Sequence, residues 1–205
     1  MVSLSADFNL EVMSPCLNVY RNVFDAKNFI QVIEQHSRAE WPRLSWERSA
    51  EDRQDTRSTY VSDYRSSLGM SLAPIWEGEV TAEDLVEVRT ELDSVFSGID
   101  KCIWDYRNSY DLSLSKDEPM SVLKYTVGTE YRTHWDSGPQ NGRVLSLVCY
   151  LNDDYEGGEL DFPVYGVTVK PEAGMAVLFP SGFQHKHAAR PIISGTKYSL
   201  VTWLQ

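Results

Sequence analysis

From residue 121 onward, the chain is a succession of short apolar and β-branched segments separated by turn signals. Pairs such as Asn141-Gly142 and Gly157-Gly158 mark the turns. Several short strands at this spacing are typical of a β-sandwich or barrel. The pattern predicts about eight strands, over residues 121–127, 131–136, 144–151, 159–162, 166–170, 175–179, 185–189 and 197–204.

The N-terminal half combines a short strand with two helices. Residues 16–24 partly alternate apolar and polar positions, and Asp25 is placed to cap a helix that ends near His36. A capping box from Thr81 to Asp84 opens a second helix, which we expect to pack on the outside of a sheet. Its apolar residues at helical spacing are Leu85, Val88, Leu92 and Phe96. We therefore predict an α+β fold: a jelly roll, or double-stranded β-helix, of about eight strands buttressed by N-terminal helices.

Residues 41–67 lack a clear period and are rich in Arg, Ser and Asp. The arginines are Arg43, Arg48, Arg53, Arg57 and Arg65. Long segments of this kind in compact domains are binding loops, lids or disordered. Two interpretations therefore stay open: a solvated loop, or a lid that contacts an acidic or polar substrate.

Length and charge limit the classes of function. The 205 residues suit one domain, residues 1–205, with the helical buttress in residues 1–115 and the jelly roll in residues 116–205. The net charge of −11 disfavours non-specific binding to nucleic acid or to an anionic membrane surface. The oligomeric state cannot be predicted from this pattern.

The cysteines and the N-terminus predict a cytoplasmic setting, in a bacterial cell or a virus-infected host. Cys16, Cys102 and Cys149 are scattered, so neither a disulfide framework nor a thiolate zinc site is indicated. Residues 1–10 lack the pattern of a signal peptide, and no apolar run is long enough to span a bilayer.

The first candidate for chemistry is the pair His134 and Asp136. Side chains at positions i and i+2 of a strand stand on the same face, so both would point into one cavity and Trp135 away from it. An imidazole and a carboxylate are two of the three ligands of a two-histidine, one-carboxylate iron site. The alternative is a surface strand that carries two polar residues.

A third ligand would have to come from a distant strand. His185 and His187 lie two residues apart and both are candidates. Lys197 follows ten residues after His187 and could hold the carboxylate of an acidic co-substrate. The alternative is a surface lysine at the start of a strand, since lysine is rarely buried unless it is paired.

Residues 121–204 resemble the iron(II)- and 2-oxoglutarate-dependent dioxygenases, specifically the prolyl 4-hydroxylase-like branch. The resemblance rests on motifs that occur in the family's order. They are Tyr125-Thr-Val-Gly128 with Tyr131-x-x-His134-x-Asp136, Tyr150-Leu-Asn152 with Gly157-Gly158-Glu-Leu160-x-Phe162, Phe179-Pro-Ser181 with His187 and Pro191, and Gly195-x-Lys197-x-Ser199 with Trp203.

This resemblance assigns residues to a site. It implies His134, Asp136 and His187 as iron ligands, because His187 lies four residues before Pro191 and ten before Lys197. His185 would then be a nearby polar or structural residue. The remaining implied contacts are hydrogen bonds from Tyr125 and Tyr150 to 2-oxoglutarate, a pairing of Lys197 and the hydroxyl of Ser199 with its distal carboxylate, and an apolar wall from Val148 and Leu160.

The resemblance also implies a reaction. Fe(II), 2-oxoglutarate and dioxygen, with ascorbate as an optional cofactor, would hydroxylate a C–H bond and release succinate and carbon dioxide. The expected substrate is a peptidyl proline or a similar residue. The alternatives are an oxygenase acting on a small molecule or a nucleobase, a non-catalytic jelly-roll binding module and a zinc hydrolase.

Overall fold

The computed structural model describes residues 8–38, 47–48, 65–72, 82–115, 117–139 and 141–205. These ranges contain two α-helices and fourteen strands. The helices are α1 (Lys27–Arg38) and α2 (Ala82–Ser109). The strands are β1 (Asn9–Ser14), β2 (Leu17–Arg21), β3 (Glu47–Arg48), β4 (Leu68–Ser71), β5 (Ser121–Tyr125), β6 (Tyr131–His134), β7 (Leu145–Tyr150), β8 (Glu156–Gly157), β9 (Leu160–Phe162), β10 (Val167–Val169), β11 (Met175–Pro180), β12 (His187–Ala189), β13 (Ile192–Ser194) and β14 (Lys197–Leu204).

Most of these strands form two sheets that pack face to face. The large sheet has the order β1-β2-β11-β7-β14-β5-β4-β3, and the small sheet has the order β10-β9-β12-β6. A short β8–β13 ladder lies beside them. One buried apolar cluster joins Tyr150 and Phe179 of the large sheet to Leu160 and Phe162 of the small sheet. The jelly roll predicted from the strand pattern is confirmed.

The alternation along β14 divides the molecule into layers. Lys197, Ser199, Val201 and Trp203 line a cavity between the two sheets. Leu200 and Leu204, which point to the opposite face, belong to the largest apolar cluster, together with residues of both helices. The two helices therefore cover the outer face of the large sheet, as predicted for the second of them.

Helix α2 packs closely on the chain before α1. Its buried residues recur at helical spacing: Leu92, Val95, Ile99, Cys102 and Tyr106. Gly98 lies among them, and a Cβ atom there would come within 2.3 Å of the carbonyl oxygen of Val23. This contact explains a glycine in a helix interior, where alanine is otherwise preferred. Thr81, and the side chains of Leu85 and Val88, lie outside the described residues.

Helix α1 begins after Asp25, whose Oδ1 accepts a hydrogen bond from the backbone nitrogen of Lys27 at 3.1 Å. The predicted cap is therefore confirmed. Neither α1 nor α2 has a stretch apolar enough, over the length required, to cross a membrane.

The sequence pattern missed several short strands. Strands β1, β4, β8 and β13 were not predicted, and β3 lies within residues 41–67, which were predicted to be irregular. Residues 41–46 and 49–64 of that segment lie outside the described residues. The strand predicted for residues 185–189 begins only at His187, because Phe183–His185 form a 3₁₀ turn.

Candidate metal centre and co-substrate pocket

The structure brings His134, Asp136 and His187 together. Strand β12 pairs antiparallel with β6, and His187 lies directly opposite His134 in this register. The Nε2 atoms of His134 and His187 each lie 3.5 Å from a carboxylate oxygen of Asp136. One donor atom from each residue lies within 4.8 Å of the others, which fits a single metal ion bound by all three.

Backbone carbonyls orient both imidazoles. Nδ1 of His134 donates to the carbonyl oxygen of Arg132 at 2.8 Å, and Nδ1 of His187 donates to that of His185 at 2.9 Å. In each case the carbonyl is two residues earlier in the chain. A proton held on Nδ1 leaves the Nε2 lone pair for a metal ion.

Asp136 follows the end of β6, so the strand alone does not place it. Its backbone nitrogen donates to the carbonyl oxygen of Ser181, and Ser146 Oγ donates to Asp136 Oδ2 at 2.6 Å. Ser146 in turn lies 2.8 Å from Ser181 Oγ. One carboxylate oxygen is therefore held by the large sheet, while Oδ1 is left for a metal ion.

The electrostatics of the three residues suit metal binding. Burial lowers the pKa of His187 to about 4, so its ring is neutral at physiological pH. Burial alone would raise the pKa of Asp136, but its contacts with His134, His187 and Ser146 outweigh burial and hold this pKa below its ordinary value. Two imidazoles and one carboxylate are the donor set of a non-haem Fe(II) site. The residues present therefore fit this metal.

The same cavity contains Lys197, which is 2% exposed. Its Nζ donates to the carbonyl oxygen of Gly158 at 2.7 Å and lies 5.0 Å and 5.1 Å from the ring centres of Tyr150 and Tyr125. Burial lowers the pKa of Lys197 to about 7, although the charge of Glu159 opposes this shift. No carboxylate among the described residues forms an ion pair with Lys197, so an anionic ligand would satisfy this ammonium group.

The other predicted co-substrate residues surround Lys197 on the inner face of the large sheet. Lys197 pairs with Tyr125 across β5, and Ser199 pairs with Tyr150 across β7. The hydroxyl of Tyr150 is buried and has no hydrogen-bond partner among the described residues. The predicted wall residues Val148 and Leu160 also line the cavity. A cation, an unsatisfied donor and an apolar wall match the needs of a small dicarboxylic acid.

A third tyrosine beside Lys197 was missed. The hydroxyl of Tyr155 is buried and has no hydrogen-bond partner in the described part of the chain. Its ring packs against Gly158, which also contacts the side chain of Lys197. The sequence signal for this position is the Gly157-Gly158 pair. Both glycines have positive φ, and the turn that they form places Tyr155 close to the strand of Lys197.

Trp203 also lines the cavity, and the sequence analysis gave it no role in the site. The guanidinium carbon of Arg143 lies 3.6 Å from the centre of the Trp203 ring. Arg143 is fixed by two hydrogen bonds of 2.7 Å to the carboxylate of Glu118. Paired in this bidentate way, the arginine holds the indole in a defined orientation.

Arg65 also lines the cavity. Its Nε donates to Ser67 Oγ at 3.0 Å, and its guanidinium lies 5.1 Å from the ring centre of Tyr131. Tyr131 stacks on the imidazole of His134 at 3.6 Å. Arg65 therefore lies beside the ring that stacks on a candidate metal ligand, while the choice between a solvated loop and a lid for residues 41–67 stays a prediction.

Comparison with known proteins agrees with this geometry. Residues 120–205 match the 2OG-Fe(II) oxygenase superfamily. Prolyl 4-hydroxylase subunit alpha-1 of Gallus gallus is 33% identical over 111 residues, which cover 45% of this chain and 22% of that protein. Probable prolyl 4-hydroxylase 9 of Arabidopsis thaliana is 30% identical over 120 residues, 44% of this chain and 42% of that protein. The chain thus spans less than half the length of these curated relatives.

Among solved structures, a viral collagen prolyl hydroxylase from Paramecium Bursaria Chlorella virus-1, in its complex with 2OG, has the same fold. The TM-score is 0.62 at 20% identity, and the alignment covers 93% of this chain and 96% of the viral one. The match to the 2OG-Fe(II) oxygenase superfamily thus covers residues 120–205, and the fold of the chain is that of the prolyl hydroxylases.

Proposed function

We propose that the protein is an Fe(II)- and 2-oxoglutarate-dependent dioxygenase that hydroxylates a C–H bond of a peptidyl proline or a similar residue. One observation carries the proposal. The donor atoms of His134, Asp136 and His187 lie within 4.8 Å of one another, in the cavity that also contains Lys197, whose ammonium group forms no ion pair with a carboxylate of the described residues. Ordinary metal binding does not require the buried lysine, whereas a dicarboxylic co-substrate does.

Each part of the cavity then has a task. His134, Asp136 and His187 would hold an Fe(II) ion, which suits this donor set of two imidazoles and one carboxylate. Lys197 pairs with the distal carboxylate of 2-oxoglutarate, and Ser199 and Tyr150 add hydroxyl contacts on neighbouring strands. Bound Fe(II) and 2-oxoglutarate supply the oxidising chemistry, in which one oxygen atom of dioxygen enters succinate and the other enters the substrate, with release of carbon dioxide. Val148 and Leu160 keep water from this end of the cavity.

The choice of a proline substrate rests on one aromatic wall of the cavity and on the relatives. Trp203 presents an aromatic wall whose orientation is fixed by Arg143 and Glu118. A flat apolar wall of this kind suits a pyrrolidine ring. The curated relatives named above are prolyl 4-hydroxylases, and another structure of the same fold is a prolyl hydroxylase from Trichoplax adhaerens in complex with a peptide fragment (TM-score 0.68, 18% identity).

The test is release of succinate by the purified protein with Fe(II) and 2-oxoglutarate. Proline-rich peptides are compared with free amino acids and with nucleobases. We expect peptides to stimulate release and to gain one oxygen atom by mass spectrometry. An Asp136→Ala variant should be inactive, because it lacks the only carboxylate of the three ligands. Stimulation by a non-peptide alone would refute the peptide substrate, and no release with any substrate would refute the dioxygenase.

A further inference from the structure

The orientation of His187 depends on a carbonyl that lies outside its strand. Nδ1 of His187 donates to the carbonyl oxygen of His185. His185 ends the 3₁₀ turn Phe183–His185, whereas β12 and its pairing with β6 begin at His187. The ladder of the small sheet therefore does not fix this carbonyl, and another contact has to hold it.

The side chain of His185 supplies that contact. Its ring is buried, and Nε2 donates to the carbonyl oxygen of Pro15 at 2.9 Å. The rings of Tyr165 and Phe179 lie 5.0 Å and 6.4 Å away and enclose it. Since Nε2 carries the proton, Nδ1 is the lone-pair nitrogen, and it has no partner among the described residues. A single hydrogen bond thus anchors this buried imidazole.

The anchor is itself attached to the helical layer. Pro15 lies in the turn between β1 and β2, and the carbonyl oxygen of the next residue, Cys16, accepts a hydrogen bond of 2.7 Å from Tyr106 Oη. Tyr106 is a buried residue of α2. A continuous series of contacts therefore runs from α2 through the turn at residues 15–16 to His185 and then to His187.

The carbonyl that orients the other histidine lies within a strand. Nδ1 of His134 donates to the carbonyl oxygen of Arg132, which lies inside β6, and the side chain of Arg132 is exposed. We infer that His185 is a positioning residue that fixes the imidazole of His187 through its bond to Pro15, a role that rests on the proposed metal site. His185 belongs neither to the three clustered donor residues nor to the residues that line the cavity.

The test compares His185→Gln with His185→Asn in the full chain. Glutamine places an amide donor near the position of Nε2 and can still reach the Pro15 carbonyl, whereas asparagine places it near Nδ1, which has no hydrogen-bond partner among the described residues. Fe(II) affinity is measured anaerobically by competition with a chromophoric chelator, followed by the absorption band that forms when 2-oxoglutarate is added. Thermal melting of the metal-free proteins reports on the scaffold alone.

We expect His185→Asn to weaken Fe(II) binding about 10- to 100-fold, the usual effect of losing a residue that orients a metal ligand, and to change the absorption band. His185→Gln should stay close to the wild type in both. Equal Fe(II) affinities for the two variants and the wild type would overturn the inference, whatever their melting temperatures. Failure of the wild type to bind Fe(II) or form the band would instead overturn the proposed function, and the inference with it.

Discussion

Replacing Lys197 by methionine should make the unliganded protein more stable and the co-substrate complex much weaker. Methionine has about the length of the lysine stem, so the packing against Tyr125 and Tyr150 is retained while the charge is removed. The two effects have opposite signs because the lysine is buried without an anionic partner among the described residues. If Lys197 served only for packing, its replacement would lower the stability of the protein and leave the affinity for 2-oxoglutarate unchanged.

The stability effect follows from the pKa. In the folded protein the pKa of Lys197 is lowered from 10.5 to about 7, so the unfolded chain binds more protons between these two values. Stability therefore rises with pH across this window, and the penalty is greatest below pH 7. At neutral pH the shift corresponds to about 4 kcal/mol, which is the upper limit of the gain expected from Lys197→Met. Each kcal/mol raises Tm by about 2–4 °C in a domain of this size.

The effect on binding is of similar size and opposite sign. Removing one partner of a buried ion pair costs about 3–5 kcal/mol, because the remaining charge is left buried alone. The Kd for 2-oxoglutarate should therefore rise by roughly two to four orders of magnitude.

The assays are thermal melting of the metal-free protein and anaerobic titration of the Fe(II) form with 2-oxoglutarate. Lys170→Met, at an exposed position after β10, is the matched control and should change neither. A Lys197→Met protein that melts at a lower temperature and still binds 2-oxoglutarate with the wild-type affinity would refute this reasoning.

Three further predictions concern the same cavity. Affinity for 2-oxoglutarate should fall above about pH 7, by up to tenfold per pH unit, as free Lys197 loses its proton, and calorimetry in buffers of different ionisation enthalpy should detect proton uptake on binding. Ser146→Ala should weaken Fe(II) binding about tenfold in a chelator competition, since it removes the 2.6 Å hydrogen bond that orients Asp136; unchanged affinity would contradict this. Tyr150→Phe should weaken 2-oxoglutarate binding without lowering Tm, because its buried hydroxyl has no partner to lose among the described residues, and a drop in Tm would argue against the assignment.

Much of the jelly roll could be predicted because its strands differ from its turns in composition. Strands β5, β6, β7, β9, β10 and β11 were predicted to within a few residues, because alternation and glycine turns are local signals. The two-residue strand β8 was not predicted. The proximity of His134 and Asp136 could be predicted for the same reason, because the two residues lie only two positions apart in the sequence. The choice of His187 over His185 was not, because the two lie only two residues apart, and only the resemblance separated them.

Other features depend on contacts that no local pattern records. Strand β1 has no buried face, because its apolar residues Leu10 and Val12 are exposed, and β4 and β3 are defined by their pairing with β5 and with each other. Ser146 and Ser181 are inconspicuous serines until Asp136 is folded against them. Residues 1–205 as a single domain and the cytoplasmic setting stay predictions.

The two faces of β14 can evolve separately, because one face lines the cavity and the other packs against the helices. Its odd-numbered residues, from Lys197 to Trp203, line the cavity, while Tyr198, Leu200 and Leu204 pack with the helical layer. Selection for a new acceptor molecule can act on one set without touching the other. In a saturation mutagenesis screen of this strand, substitutions at the cavity positions should therefore mainly change activity. Substitutions at the positions that face the helices should mainly change protein abundance.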